Sequence, residues 1–540
     1  MRIDLIAAEN GRTVANLAEL FYRNARLRGD RTAILMGGCS LSYRDLWDES
    51  TRVAALLRRS GVTVGDRVMI FADNSPAHFV VYLASARLGA VFTPAHVGFR
   101  PSDLDYAIAN SSPRVIVGDE HSVRALAKSG ARIQVGAAIL RLDEWPEDED
   151  YTAPGHPVAA FLDLPADAPA LITYTSGSTS RTPAPVTRSH ETEIWNAETY
   201  TDVWDFRPGD HVLVPLPLSW VYGLTTVGLS ALSAGSTIVL QSARDAEPLL
   251  PAIQRHGVAI LAGTMDMYSR MVGELQEGHF DLSSLRHLYI GGESIVQPIV
   301  ELVEHFTGIR PLQAYAATEV APVLAVDPIR DASAPRGTAG RILEGSEIRL
   351  VDADGADVPV GAVGEAWLRG RGSMLSYWRE QSLTEMRVTA DGWYRSGDYL
   401  WRDPDGFYFM VGRMEDVILR EGSPVSLSEV ETAIAELPGI EDVVVVGVPD
   451  DDFGEALIAF VVTAADQRPS VDIIYENLET RIARVKVPRE IYIIDRLPLG
   501  ITGKRDRQQL REIASSAVSG DRSIVTMAEW LAERSERRRS

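Results

Sequence analysis

The chain has 540 residues, a formal net charge of -22 at pH 7, 45% hydrophobic residues and 24% charged residues. That length allows two to four structural units with ample core, the composition is that of a folded globular chain, and the strong negative charge argues against a nucleic-acid binder, which needs a basic face. Cys39 is the only cysteine, so an internal disulfide and a thiolate metal cluster are both excluded. The opening "MRIDLIAAENGRT" lacks the apolar core of a secretory leader, and no run of about 18 uncharged apolar residues appears. A cytoplasmic location without a membrane span is the expectation.

From residue 14 to 135, helical and strand-like patterns alternate. "LSYRDLWDESTRVAALLRRSG" (41–61) carries apolar residues at helical spacing and ends on Gly. "DRVMIFA" (66–72) reads as a buried strand, "VVYLASARLG" as a helix and "RVIVGD" (114–119) as another strand. The same rhythm returns over 209–310, in "DHVLVPL", a helix after Gly223, "STIVL", a helix near 246–256 and "VAILAG". Such alternation implies two helix-flanked sheets with substantial parallel pairing, an α/β class. Between 336 and 400, "EIRLVD" and "GEAWLRG" suggest a smaller β unit. Beyond Arg413 the order is helix, two strands, helix and strand, a compact α+β domain. The expected boundaries are a large domain over 1–412, a small domain over 413–515 and a charged tail over 516–540.

Several short stretches carry chemistry. "LITYTSGSTS" sets a strand directly before a loop rich in Gly and hydroxyls, Thr175, Ser176, Gly177, Ser178 and Thr179. Consecutive backbone N–H groups there can cradle an anion, and Gly admits close approach. The loop lacks GK[ST], so it is not a Walker A site. In "QAYAATEVAP", Tyr315 can stack on a base and Glu319 can ligate a hard cation. "IGGES" ends a strand on two glycines, Asp398 follows Ser-Gly in a tight loop, and Arg413 follows Gly412 at the domain boundary. Lys504 follows a Gly turn in "LPLGITGKRDRQQL". Taken one at a time, these read as turns, solvated faces and surface ion pairs.

Taken together, in order and spacing, they resemble the adenylate-forming superfamily of acyl-CoA synthetases, luciferases and peptide-synthetase adenylation domains. The resemblance spans nearly the whole chain and includes "PLPLSWVYGL", "SSLRHLYIGGES", "GTAGRILEGSEIRLVD" and "GRMEDVILREGSPVSLSEVE". It implies activation of a carboxylic acid with ATP and Mg²⁺, release of pyrophosphate, and transfer of the acyl group to the thiol of CoA or of a carrier protein's phosphopantetheine. By motif, Thr175 to Thr179 would cradle the β- and γ-phosphates. Glu319 would hold Mg²⁺, and Thr318 would contact the α-phosphate. Gly292, Glu293 and Tyr315 would frame the adenine. Asp398 would bind the ribose with Arg413 nearby. Lys504 would stabilise charge as the adenylate forms. The resemblance also implies a small domain that rotates between half-reactions about a hinge at Glu415, with Gly422 facing pantetheine.

The sequence departs from the family pattern in its phosphate loop. Ser180 replaces a Gly, a residue is added, and "TPAP" stands where "PKG" is usual, so that Ala184 takes the place of the lysine. Ala316 and Ser376 replace two further glycines. Arg181 and Arg188 are the candidates to restore the missing charge, and ATP use is expected to persist, weakened. The segment "PLPLSWVYG" lacks the Asp that pairs with an α-ammonium, which favours an aryl or aliphatic acid over an α-amino acid. Trp220 stands at the position that gates the acyl or pantetheine channel, and "LAGTMDMYSRM" (261–271), with Thr264 and Met265, is the expected acyl pocket lining. No carrier domain follows Lys504, so a carrier protein would act in trans. Two rivals remain: an amide synthetase of the same fold, and a non-catalytic acyl-nucleotide-binding or scaffold protein.

Overall fold

Val443 to Val446 form an unbroken run of valines, which a strand tolerates only when both of its faces are covered. A computed structural model of the protein, describing residues 15–129, 137–142, 161–175, 182–244, 246–292, 295–414, 417–420, 423–450, 454–464, 468–498 and 505–518, shows that coverage. The chain divides into two compact units. One comprises residues 1–349, 367–396 and 402–409, the other residues 350–366, 397–401 and 410–540.

In the second unit, strand Ile440–Asp450 pairs antiparallel with Gly454–Thr463, which pairs parallel with Glu490–Ile493. Val443 and Val445 face Val430, Ile434 and Ile474 from helices Leu427–Ala435 and Val471–Arg481. Val444 and Val446 pack with Leu510 and Ile513 of helix Arg507–Val518. The α+β order read from the sequence is therefore present element by element.

The first unit holds two large sheets. One has nine strands, in the spatial order Arg341–Ile342, Val320–Ala325, Leu312–Ala317, His287–Ile290, Ile260–Gly263, His211–Val214, Thr237–Leu240, Thr32–Met36 and Cys39–Ser42. The other has seven, in the order Ser376–Tyr377, Ala184–Ser189, Pro169–Thr175, Val91–Pro94, Arg67–Phe71, Val115–Gly118 and Ala138–Arg141. Ile34, Val212 and Ile238 of the first sheet and Val68, Phe92 and Val117 of the second belong to one apolar cluster. Helix Ala77–Leu88 supplies Phe79, Val81 and Leu83 to it and is buried on every side. Arg87, the one charge in that helix, lies 4.2 Å from the Trp47 ring centroid and donates to Ser50 Oγ at 3.0 Å, and burial lowers its pKa to about 10.

The expected helix after Gly223 is a π-helix over Tyr222–Leu229, followed by α-helix Ser230–Ala234. Packing decides this register. A Cβ at Gly223 would lie 2.5 Å from the Pro217 carbonyl oxygen, and one at Gly228 would lie 2.6 Å from the Phe79 ring. The expected smaller β unit is a four-stranded sheet in the order Ser346–Val351, Gly364–Gly370, Tyr394–Arg402 and Tyr408–Arg413. Among the described residues no helix is long and apolar enough to cross a membrane.

Candidate active site

Strands His211–Val214, Ile260–Gly263, His287–Ile290 and Leu312–Ala317 are adjacent and parallel, so their C-terminal ends open on one edge of the nine-stranded sheet. That edge is where open α/β sheets bind ligands. Three of the sequence-identified segments leave from it: Thr264–Met265, Gly291–Gly292 and Thr318–Glu319. Gly291 N–H donates to the Gly263 carbonyl at 3.3 Å. Tyr222 closes the same corner, donating to the Gly263 carbonyl at 3.2 Å. A Cβ on Gly291 would lie 2.9 Å from the Tyr222 ring, and Gly292 has φ 77°, so two glycines are needed there for different reasons. Tyr315 is buried within Leu312–Ala317.

Thr318 and Glu319 form the tight connection between Leu312–Ala317 and the antiparallel strand Val320–Ala325, with Ala317 paired to Val320. Glu319 is buried, and its Oε1 accepts from the Tyr377 hydroxyl at 2.7 Å. Its carbonyl accepts from Met374 N–H at 2.6 Å. Tyr377 is in turn hydrogen-bonded by the Tyr394 hydroxyl, and burial, with the Glu319 charge adding to it, pushes both phenols far above the ordinary tyrosine range. Both phenols therefore stay protonated, and Tyr377 remains a donor toward the carboxylate.

Thr175 ends strand Pro169–Thr175, and Ala184 opens strand Ala184–Ser189. The two residues are paired across the antiparallel ladder and bracket the hydroxyl-rich loop. Ser176, Gly177, Ser178, Thr179 and Arg181 lie outside the described residues. Arg188 does not supply the missing loop charge. It is completely buried, with its Nε 2.5 Å from Glu193 Oε1. A guanidinium held that way serves the interior, and the sequence reading of Arg188 as a pyrophosphate ligand is corrected.

Trp220 lies in the segment after His211–Val214, and its ring stacks on His96, with centroids 6.0 Å apart and planes inclined by 15°. Burial holds the His96 imidazole below the ordinary histidine range, so it is neutral at pH 7. Thr264 and Met265 are both buried, and Met265 packs in an apolar cluster with Leu213, Leu261 and Leu288.

Comparison with known proteins places this geometry. The AMP-binding enzyme family matches residues 21–378, and the AMP-binding enzyme C-terminal domain matches residues 429–504. The chain belongs to the AMP-binding enzyme family. It is similar to a feruloyl-CoA synthase of an Amycolatopsis species, 33% identical over 91% of this chain and 97% of the relative. It is also similar to an indoleacetate–CoA ligase of Aromatoleum aromaticum, 31% identical over 92% of this chain and 98% of the relative. Among solved structures, ATP-bound MatB of Rhodopseudomonas palustris superposes with a TM-score of 0.83, at 28% identity over 93% of this chain and 99% of that one. The protein is thus an AMP-forming ligase of the acyl-CoA synthetase kind, and ATP use with a CoA acceptor fits its family.

The remaining residues singled out from the sequence fall in the second unit or outside the described residues. Asp398 follows Gly397, whose φ is 71°, and is buried. Arg413 Nε lies 3.4 Å from Asp398 Oδ1. These two residues, 15 apart in sequence and read as a ribose-binding carboxylate with an arginine nearby, are therefore already joined. Glu293, Glu415, Gly422 and Lys504 lie outside the described residues. Among the described residues no group of three or more His, Cys, Asp or Glu side chains comes together as a metal cage. A Mg²⁺ ion carried on phosphate oxygens and water needs only one or two carboxylates, and Glu319, held by a single phenol, fits that need. Sequence reasoning missed Tyr377, Tyr394, His96 and Tyr222. Tyr222 lies within "PLPLSWVYGL" and Tyr377 follows Ser376, so two of them stood beside sequence signals without being singled out.

Proposed function

We propose that this enzyme activates an aryl carboxylic acid with ATP as the acyl-adenylate, releases pyrophosphate, and transfers the acyl group to the thiol of CoA. The observation that carries the reading is the meeting of Thr264–Met265, Gly291–Gly292 and Thr318–Glu319 at the ends of adjacent parallel strands. The aryl preference draws support from the aromatic Trp220–His96 pair and from relatives named for feruloyl and indoleacetyl substrates.

In this reading residues 1–412 form the large domain, 413–515 the small domain that carries Lys504, and 516–540 a tail. Thr175 to Thr179 bind the β- and γ-phosphates through backbone and hydroxyl donors. Gly292, Glu293 and Tyr315 frame the adenine, and Asp398 with Arg413 takes the ribose. Thr318 contacts the α-phosphate and Lys504 the reacting carboxylate, so both stabilise charge that grows in the transition state. Mg²⁺, when bound through Glu319, supplies neutralising charge to the phosphates. Glu415 is the hinge, Gly422 faces the pantetheine, and Trp220, Thr264 and Met265 border the acyl channel.

The test is incubation with ATP, Mg²⁺, CoA and a panel of aryl and aliphatic acids, with products identified by mass spectrometry. Aryl-CoA is the expected product. Adenylate or AMP without acyl-CoA would move the acceptor to a carrier protein or an amine. No acid-dependent product with any acid would overturn the reading in favour of a non-catalytic binder.

A further inference from the structure

Arg188 and Glu193 are both fully excluded from solvent. Replacing such a buried ion pair with well-packed apolar residues often costs no stability, so stability alone does not explain the pair. The guanidinium does more than neutralise Glu193. Nη1 donates to the Thr318 carbonyl at 2.9 Å and to the Gly372 carbonyl at 3.4 Å, and Nη2 donates to the Ala321 carbonyl at 3.3 Å. Glu193 is pinned from its other oxygen by Tyr82 and Thr225 hydroxyls, each at 2.8 Å.

The carbonyls that Arg188 binds flank Glu319. The ladder around that turn is irregular, with a register shift between Tyr315 and Ala317, so strand pairing alone fixes it poorly. The Gly372 carbonyl also accepts from Ala321 N–H at 3.1 Å, and a planar guanidinium can serve several carbonyls at once in fixed geometry, so Arg188 adds to the backbone pairing at this turn. Arg188 itself sits on Ala184–Ser189, the strand that closes the phosphate loop. The same strand also pairs with Ser376–Tyr377, which delivers the phenol to Glu319.

We propose that Arg188 is a positioning residue that locks the Thr318–Glu319 turn to the strand closing the phosphate loop. It fixes the spacing between the Glu319 carboxylate and the Thr175–Ala184 end of the hairpin. The catalytic part of this inference rests on the proposed roles of Thr318 and Glu319; the locking itself does not. A guanidinium that serves this purpose is unavailable to pyrophosphate, so the loop's lost lysine is not replaced from within its own hairpin strand.

The test compares the wild-type enzyme with Arg188→Met, Arg188→Met/Glu193→Gln and Arg188→Lys. Arg188→Met strands a buried carboxylate and is expected to melt lower. The double variant removes both charges, keeps an acceptor for Tyr82 and Thr225, and is expected to recover the melting temperature. In the double variant and in Arg188→Lys, amide exchange over residues 318–321 and 372–374 should quicken about tenfold or more, the worth of a hydrogen bond to a charged group. Exchange in helix His190–Val203 should stay unchanged. Acid-dependent ATP–pyrophosphate exchange should fall about 100-fold in kcat, as expected for misplaced catalytic groups, with the acid's KM unchanged. Wild-type protection at the turn in both variants would overturn the lock. Lost protection with wild-type kcat would overturn its role in positioning. A wild-type enzyme inert toward every acid would instead sink the functional reading, and amide exchange would still decide the lock.

Discussion

Tyr377→Phe removes one oxygen and tests how Glu319 is held. The Tyr377 hydroxyl lies 2.7 Å from Glu319 Oε1, and both residues are buried, at 3% and 7% exposure, which leaves little room for water to take over the bond. Phe keeps the ring and so leaves no large cavity. The loss is then that of a hydrogen bond to a charged group, about 1.5–3 kcal/mol, or about 10- to 150-fold if all of it is expressed in the transition state. The assay is ATP–pyrophosphate exchange with the best acid across a Mg²⁺ titration, alongside thermal melts. Tyr394→Phe is the control: it removes a bond between two neutral phenols, worth about 1 kcal/mol, and should cost less than Tyr377→Phe. Wild-type turnover and melting in Tyr377→Phe, or a larger loss in Tyr394→Phe, would refute the view that the phenol chain orients this carboxylate.

Ala184→Lys should lower the KM for ATP about tenfold, the value of one charge-assisted hydrogen bond near 1.5 kcal/mol; an unchanged KM would mean that the loop already works at full strength without it. Lys504→Ala should abolish most adenylation while calorimetry still detects ATP binding, and an unchanged adenylation rate would remove Lys504 from its assigned role. His78 and His190 are buried, and burial lowers each pKa to about 4 from an ordinary 6.5. Between those values the unfolded chain binds a proton that the folded chain does not, so stability falls as pH drops through this window, by about 1.4 kcal/mol per pH unit for each imidazole. Melting curves from pH 7 to 4.5 should show this acid sensitivity, and His78→Gln should remove about half of it; an identical pH slope in that variant would contradict the burial argument.

What the sequence made legible was whatever short-range chemistry decides. The helix over Tyr43–Arg59 begins at Ser42, whose side chain accepts from Asp45 N–H while Asp45 reaches back to Ser42 N–H, a pattern visible in four consecutive letters. The valine run of the second unit announced its own double coverage. Long-range pairing was not legible. Arg188 in "VTRSH" reads as a candidate to restore the phosphate loop's missing charge, and only the closure of three segments around it reveals an interior guanidinium. Tyr377 and Glu319 are 58 residues apart, and nothing local in either motif points to the other. The π-helix at Tyr222–Leu229 was likewise out of reach, because Pro217 and Phe79, which press on its glycines, lie outside the helix.

The pairing of Thr175 with Ala184 has a consequence for how this enzyme is built. Eight residues, 176 to 183, connect that pair, and the ladder behind it runs on through Tyr174–Pro185 and Thr173–Val186. The register of the described strands is carried by the residues on either side of the connection. With phosphate binding assigned to that connection as proposed, its chemistry is set apart from the paired strands that hold its two ends in register.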